Sequence, residues 1–372
     1  MNNIIYAGGT AVPRIDDNQK YFLNHLTILY GPSGSGKSSI IMHILNTIRD
    51  VIPIALVCNP TNDLNGDYNG IIPNQCIYND LTKELLQKIF VRQTNVIAMY
   101  KLVHDPKHLR SMYNLIADQP AKELAEKLDN ILATGTSKIN SSYEPEDIEN
   151  ALKDLHDRYN HKMVKLTRKF ILQNMAKLNS MELTDLHKMI LDNFVLNPNL
   201  LLLLDDCAAN IKEWKDLTET KQLFFQGRHF KVTTILTMQN EAIIPPPLRT
   251  NAHISIFTTN KIVNTYFAKA SSGVGNDERK QIVKISNAIF ASSDNDKPNY
   301  KKLVIMGQVI KTENKIQYII ANPKKRRFGS SAFWELCNQV KRETPVAFTS
   351  NTFSKMFSVK PSSKLEQVPN YD

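Results

Sequence analysis

The chain has 372 residues, 42% of them apolar and 22% charged, which is the balance of one large or two modest globular domains and excludes a disordered or fibrous protein. Its longest apolar runs, residues 54–58 and 200–204, are too short to cross a bilayer. Residues 1–20 lack the basic start and apolar centre of a secretory leader, so a soluble, intracellular protein that is not integral to a membrane is expected. Lys and Arg number 46 against 36 Asp and Glu, a formal charge of +10, and residues 321–372 hold about half of that excess, which permits a polyanionic partner. Cys58, Cys76, Cys207 and Cys337 are dispersed without a CxxC pair, which argues against a disulfide framework and a structural zinc site.

The first strong signal is the apolar stretch Leu26-Thr-Ile-Leu-Tyr30, followed by Gly31-Pro-Ser-Gly-Ser-Gly-Lys-Ser38 and then the helical-looking Ser39-Ile-Ile-Met-His-Ile-Leu45. The middle segment matches G-x4-G-K-[ST], and its flanks supply the strand, loop and helix that a phosphate cradle requires. Glycines let successive backbone N–H groups and a helix N-terminus close around phosphate oxygens. Gly31, Pro32, Ser33, Gly34, Ser35, Gly36, Lys37, Ser38 and Ser39 are therefore expected to bind ATP. Lys37 would reach the β- and γ-phosphates and the Ser38 hydroxyl would ligate Mg²⁺.

Further along, Asp63-Leu-Asn-Gly-Asp67 begins like a calcium loop but lacks the glycine and glutamate at their offsets, and reads as a turn. His104 and His108 lie four apart, a spacing that could share a helix face, yet no third ligand or catalytic Glu accompanies them. Apolar stripes at helical spacing follow: Leu124, Leu128 and Ile131 beginning near Pro120; Ile148, Leu152, Leu155, Tyr159, Met163, Leu166 and Phe170; and Leu183, Leu186 and Ile190. The middle stripe predicts a helix over residues 145–178, roughly 50 Å long at 1.5 Å per residue. Pro145 suits its first turn, and acidic residues lead while basic ones trail, which suits the helix dipole. Such helices either pack on one another or form an arm for a capsid, membrane or DNA-processing partner.

The strand that should pair with the phosphate loop is Asn199-Leu-Leu-Leu-Leu-Leu-Asp205-Asp206, five leucines covered on both faces and ending in carboxylates. Asp205 would hold Mg²⁺ through water, and Asp206 would act as general base on the attacking water. A third strand, Val232-Thr-Thr-Ile-Leu-Thr237, ends at Met238-Gln239, where a glutamine could orient water and sense the γ-phosphate. Ala252-His-Ile-Ser-Ile-Phe257 is the next strand candidate, and Lys301-Lys-Leu-Val-Ile-Met306 with Lys315-Ile-Gln-Tyr-Ile-Ile320 suggest a closing hairpin. The cluster Lys324-Lys-Arg-Arg327 could contact phosphates, serve as a nuclear address or simply be solvated; no aromatic interleaving suggests single-strand stacking.

The phosphate loop, the Asp205-Asp206 pair, Gly227-Arg-His229, Leu236-Thr-Met-Gln239 and Pro247-Leu-Arg-Thr-Asn251 together resemble the FtsK/HerA superfamily, most closely the poxvirus-type genome-packaging ATPases of large DNA viruses. The resemblance covers residues 23–80 and 196–322. It implies an α/β P-loop NTPase fold, a doubly wound, mostly parallel sheet with an inserted α-helical subdomain at 81–195, an N-terminal extension at 1–22 and a basic tail at 323–372. It also implies a hexameric homo-oligomeric ring that threads double-stranded DNA, with a capsid or portal-like partner, in the host-cell cytoplasm or viral factory or associated with the virion. An arginine acting on the neighbouring subunit's site would be Arg228 first and Arg249 second. Asp206 stands where many relatives have Glu.

Two other readings use the same residues. One is a different P-loop ATPase or a small-molecule kinase; the other is a scaffold in which ATP orders the fold and the helical insertion carries the function. An LSGGQ-like signature is missing from the sequence, which disfavours a transporter-type ATPase, and the water-positioning residues Asp206 and Gln239 disfavour a pure binder.

Overall fold

Strands that are apolar along most of their length need cover on both faces, and four such strands form the middle of the sheet. In the computed structural model, which describes residues 4–142, 144–207, 213, 216–240, 243–269, 272–291, 299–307, 310, 312 and 314–340, the strands are β1 (Ile4–Ala7), β2 (Thr10–Pro13), β3 (Leu26–Tyr30), β4 (Ile54–Cys58), β5 (Ile77–Tyr78), β6 (Leu200–Leu204), β7 (Val232–Met238), β8 (Ile254–Phe257), β9 (Lys301–Met306) and β10 (Ile316–Ile320). Every residue of β3, β4, β6 and β7 is buried; β4 and β6 are apolar throughout, and the threonines of β3 and β7 are enclosed with their apolar neighbours.

β1 and β2 form a separate hairpin, and the other eight strands form one sheet in the order β10-β9-β8-β3-β7-β6-β4-β5. All neighbours from β8 through β5 run parallel, and β9 and β10 turn back antiparallel at one end. The expected hairpin is thus present with Ile316 opposite Ile305. The phosphate-loop strand β3 and the acidic strand β6 are separated by β7, with Tyr30 beside Met238 and Leu204 beside Leu236. Their carboxyl ends therefore lie about 10 Å apart, two strand spacings, with Gln239 at the tip of the strand between them.

The chain divides into two compact units, of which the described residues are 4–94 with 197–340, and 95–196. The division falls inside the helix Lys83–Val103 rather than ahead of it at 80/81, because that helix contributes its first half to the sheet unit: Leu85, Leu86, Ile89 and Phe90 are buried, and Phe90 packs edge-on against Phe230. The N-terminal segment is part of the same unit. Ile15 donates its N–H to the Tyr318 carbonyl at 2.9 Å, and Arg14 bridges the edge strand β10 at Tyr318. The basic segment is followed by an element the sequence reading leaves in a tail, the helix Ser331–Gln339, N-capped by the Ser330 hydroxyl and buried through Phe333 and Cys337. Phe328 N–H to the Ile71 carbonyl (2.9 Å) and Ser330 N–H to the Pro53 carbonyl (3.0 Å) dock the chain just before it.

The second unit is helical: Pro106–Ile116, Gln119–Ser142, Pro145–Gln173, Met175–Asn179 and Asp185–Asp192. Its core joins Val103, Leu109, Met112, Ile171, Leu178, Ile190 and Phe194, side chains each worth about 1.5–3 kcal/mol on burial. Gly135 lets Leu155 approach where a Cβ would stand 2.9 Å from its methyl carbon, and the Tyr159 hydroxyl and Arg110 guanidinium both bind Asp129, at 2.6 and 3.0 Å. The long stripe is consumed in this packing. The helix stops at Gln173 rather than 178 because Asn174 leaves helical geometry and returns its side-chain amide to the Phe170 carbonyl. His104 and His108 do not share a helix: one follows Lys83–Val103 and the other lies in Pro106–Ile116, separated by the capping Asp105. No helix among the described residues is long and apolar enough to cross a membrane.

Candidate functional site

At the tip of β3 the chain turns into a loop that only glycine can build. Gly34 and Gly36 adopt left-handed backbone with φ of 73° and 94°. Gly31 has ordinary backbone but no space: an added Cβ would lie 1.8 Å from the Thr258 hydroxyl oxygen. The helix Lys37–Ile48 begins with Gly36 in the N-cap position and no side-chain cap, and the first N–H to return to the loop is that of Ile40, to the Gly36 carbonyl. The N–H groups of Lys37, Ser38 and Ser39 are left facing the loop, a concentration of positive dipole suited to an anion. Pro32, Ser33, Gly34 and Ser38 are exposed to solvent.

The Lys37 ammonium donates to the carbonyls of Gly31 (2.8 Å) and Pro32 (2.9 Å), so it lies across the cradle. Burial pulls its pKa below the ordinary lysine value, and the carboxylates of Asp205 and Asp206 partly restore it. Lysine and acid pair thus share one electrostatic site across the intervening strand.

Asp205 follows β6 and is fixed from three sides. Its N–H donates to the Cys58 carbonyl at 2.9 Å, the Thr237 hydroxyl donates to Oδ1 at 2.7 Å, and the Tyr68 hydroxyl donates to Oδ2 at 2.6 Å. Asp206 takes left-handed backbone, φ 58°, which aspartate tolerates better than most residues, and its N–H donates to the same Thr237 hydroxyl at 3.0 Å. The turn points its carboxylate outward, where the Gln239 amide donates to Oδ1 at 2.9 Å. Both of these side chains are exposed. The structure therefore brings together the glycine loop, Lys37, Asp205, Asp206 and Gln239.

The arginines lie elsewhere. Arg228 precedes β7 and is exposed at the amino end of the strands, roughly 20 Å from its own phosphate loop across the seven residues of β7. There its charge acts on the stacked imidazoles of His25 and His253, helping burial to lower both pKa values. Arg249 is buried, its guanidinium 5.0 Å from the Tyr266 ring centre, and Tyr266 in turn packs on Tyr30 at the base of the loop. It is enclosed within its own chain.

Four residues, placed around the loop and Asp205, receive no individual role from the sequence. Thr258 donates to the Tyr30 carbonyl at 3.1 Å and lies 2.7 Å from the Ser35 hydroxyl, while Lys302 donates to the Thr258 carbonyl at 3.1 Å. Tyr68 and Thr237 bind Asp205. Thr237 lies inside the Leu-Thr-Met-Gln segment already singled out, whereas no local pattern marks Tyr68, Thr258 or Lys302.

Oxygen donors from Ser38 and Asp205 are the kind Mg²⁺ accepts, with phosphate oxygens and water completing its shell. Among the described residues no group of three or more His, Cys, Asp or Glu could hold a metal by itself. An ion here would depend on the nucleotide for the remainder of its ligands.

No protein-family model matches the chain. It is 26% identical over 362 residues to uncharacterized protein B354L of African swine fever virus (isolate Pig/Kenya/KEN-50/1950), covering 94% of this chain and 97% of that one. It is 30% identical over 235 residues to uncharacterized protein L437 of Acanthamoeba polyphaga mimivirus, covering 63% of this chain and 52% of that one. Solved structures similar to it include the genome packaging NTPase B204 of Sulfolobus turreted icosahedral virus 2 in complex with ATP-gammaS, at TM-score 0.35 and 10% identity over 83% of this chain and 99% of that one. The plasmid coupling protein TrwB in complex with the GTP analogue GDPNP matches at TM-score 0.36 and 11% identity, over 89% and 92%. The sequence relatives are viral proteins, and the fold is mixed α/β, built on one eight-stranded, mostly parallel sheet with helices, as expected from the sequence.

Proposed function

We propose that this chain is an Mg²⁺-dependent ATPase that translocates double-stranded DNA, the motor of viral genome packaging, working as a homo-oligomeric ring that the motif resemblance makes a hexamer. The observation that carries the enzymatic half is the hydrogen bond from Gln239 to Asp206 beside an acid pair that acts on Lys37. A protein that only bound nucleotide would have little use for a carboxylate and an amide exposed where water meets the terminal phosphate.

In this reading the loop amides and Lys37 grip the β- and γ-phosphates, and Ser38 with Asp205 holds the metal. Bound Mg²⁺ would neutralise charge between the β- and γ-oxygens. Asp206 accepts the proton of the attacking water, and Gln239 orients that water between carboxylate and phosphorus. Arg228, exposed at the far end of its own strands, suits the neighbouring subunit's site. The DNA half rests on the ordered motif set and on exposed cations, Lys324-Lys-Arg-Arg327 among them, which can meet duplex phosphates without reading sequence.

The test is ATP turnover by purified protein against duplex DNA concentration, with oligomer mass followed in parallel. Stimulation by duplex that fades as salt rises supports the reading. Turnover indifferent to DNA at low salt removes its second half, and no turnover at any oligomeric state removes the first.

A further inference from the structure

We propose that Tyr68 is a positioning residue for the metal site. With Thr237 it clamps the Asp205 carboxylate so that it receives metal-bound water in one fixed orientation. The inference rests on the nucleotide reading above and adds a residue to it.

The segment that carries Tyr68 leaves the carboxyl end of β4, the neighbour of β6 on the side away from β7. It is rigidly built. The Asn59 side chain accepts from Thr61 N–H and hydroxyl, both at 2.8 Å, Gly66 closes the short helix Asn62–Asn65 in left-handed backbone, and the Asn62 side chain accepts the Tyr68 N–H at 3.2 Å. The ring of Tyr68 is fully buried, and its hydroxyl finds Asp205 Oδ2 at 2.6 Å. Thr237 reaches Oδ1 from the opposite neighbour, β7, at 2.7 Å.

Each oxygen of the carboxylate thus accepts one neutral hydroxyl, one from β7 and one from the segment that follows β4. An ionised carboxylate has about four acceptor positions, so roughly two remain for metal-bound water. The two donors disperse its charge and stop its rotation. Both effects favour contact through water over direct ligation, which suits an ion that dehydrates reluctantly. Partners one step removed from a metal ligand generally change metal affinity or activity by 10–100-fold when removed.

The experiment measures the affinity of the full-length protein for a fluorescent ATP analogue in EDTA and across a Mg²⁺ titration. Tyr68→Phe is expected to leave affinity in EDTA within about twofold of wild type and to raise the Mg²⁺ concentration needed for the response by about tenfold. Thr237→Val removes the other donor and shifts the Mg²⁺ response in the same direction, and Thr237→Ser, which retains a hydroxyl, returns it. These threonine variants keep the test decisive if Tyr68→Phe fails to fold. An unchanged Mg²⁺ midpoint in Tyr68→Phe and Thr237→Val, with nucleotide still bound, overturns the clamp alone. Failure of wild type to bind the analogue overturns the nucleotide reading and the clamp with it.

Discussion

The Gln239 side-chain amide donates to Asp206 Oδ1 at 2.9 Å, joining the tips of two adjacent parallel strands at the site's open edge. The contact makes the pair one unit, so their losses should not add. Asp206→Asn is expected to keep ATP affinity and lower turnover by about 10²–10⁴-fold, the usual range for a general base. Gln239→Ala should lower turnover too, and the double variant should fall little below Asp206→Asn. Single-turnover hydrolysis checks this. Full turnover in Asp206→Asn would refute the assigned role.

Two substitutions separate the cradle's chemistry from its shape. Lys37→Ala removes the cation that lies across the loop and should abolish measurable ATP binding, with the thermal midpoint little changed. Gly31→Ala instead drives a methyl group to 1.8 Å from the Thr258 hydroxyl, and should cost about 1–3 kcal/mol of stability as well as nucleotide affinity. Calorimetry with and without nucleotide distinguishes the two.

If Arg228 serves a neighbouring subunit, two inactive chains can repair one another. Lys37→Ala and Arg228→Ala, each nearly inactive alone, should regain activity when mixed, because about a quarter of randomly formed interfaces then pair an intact Lys37 with an intact Arg228. Absence of any recovery in mixtures confirmed to co-assemble would count against action between subunits.

Duplex stimulation should follow counterion release, weakening steeply as salt rises, with a slope near −0.9 per phosphate contacted. Replacing Lys324, Lys325, Arg326 and Arg327 by Ala should make that slope shallower while leaving DNA-independent turnover intact. Turnover titrated with duplex at several salt concentrations reads both quantities. An unaltered slope would mean that these cations remain solvated.

Burial, aided by Arg168 in one case and by His25 and Arg228 in the other, holds the imidazoles of His104 and His253 down to a pKa of about 4, from an ordinary 6.5. Between those values the unfolded chain binds protons that the folded chain refuses. Stability should therefore rise with pH through that window and be lost on acidification. Denaturant midpoints at pH 7 and pH 5 measure the loss, and His253→Gln should reduce it. An identical pH dependence in the variant would place the effect in other groups.

Much of the sheet, and the meeting of the glycine loop with the acidic strand end, is legible because each signal is local. Five leucines before two aspartates give a doubly covered strand, and the glycines spaced before Lys37 give the left-handed loop between β3 and its helix. What was not legible depends on contacts between distant segments. Tyr68 meets Asp205 across 137 positions, and neither residue's neighbourhood announces the other. Arg249 stands second among the candidate arginines by its motif, but it is buried, with its guanidinium against Tyr266 from a later helix. The histidine pair looked helical by spacing, but Asp105 caps a new helix between them. Likewise the helix Ser331–Gln339 follows four cations whose charge suggests solvation, and only its docking beside Ile71 and Pro53 reveals a structural role.

The two ends of the eight-stranded sheet limit what another strand could add to it. At one end β5 offers two residues, too few to template a foreign strand. At the other, Arg14 and Ile15 already engage the outer edge of β10 at Tyr318. Lateral β-augmentation is thereby discouraged. If the proposed ring forms, its contacts would fall to loops and helices, whose side chains can rearrange in a way that a ladder of backbone hydrogen bonds cannot.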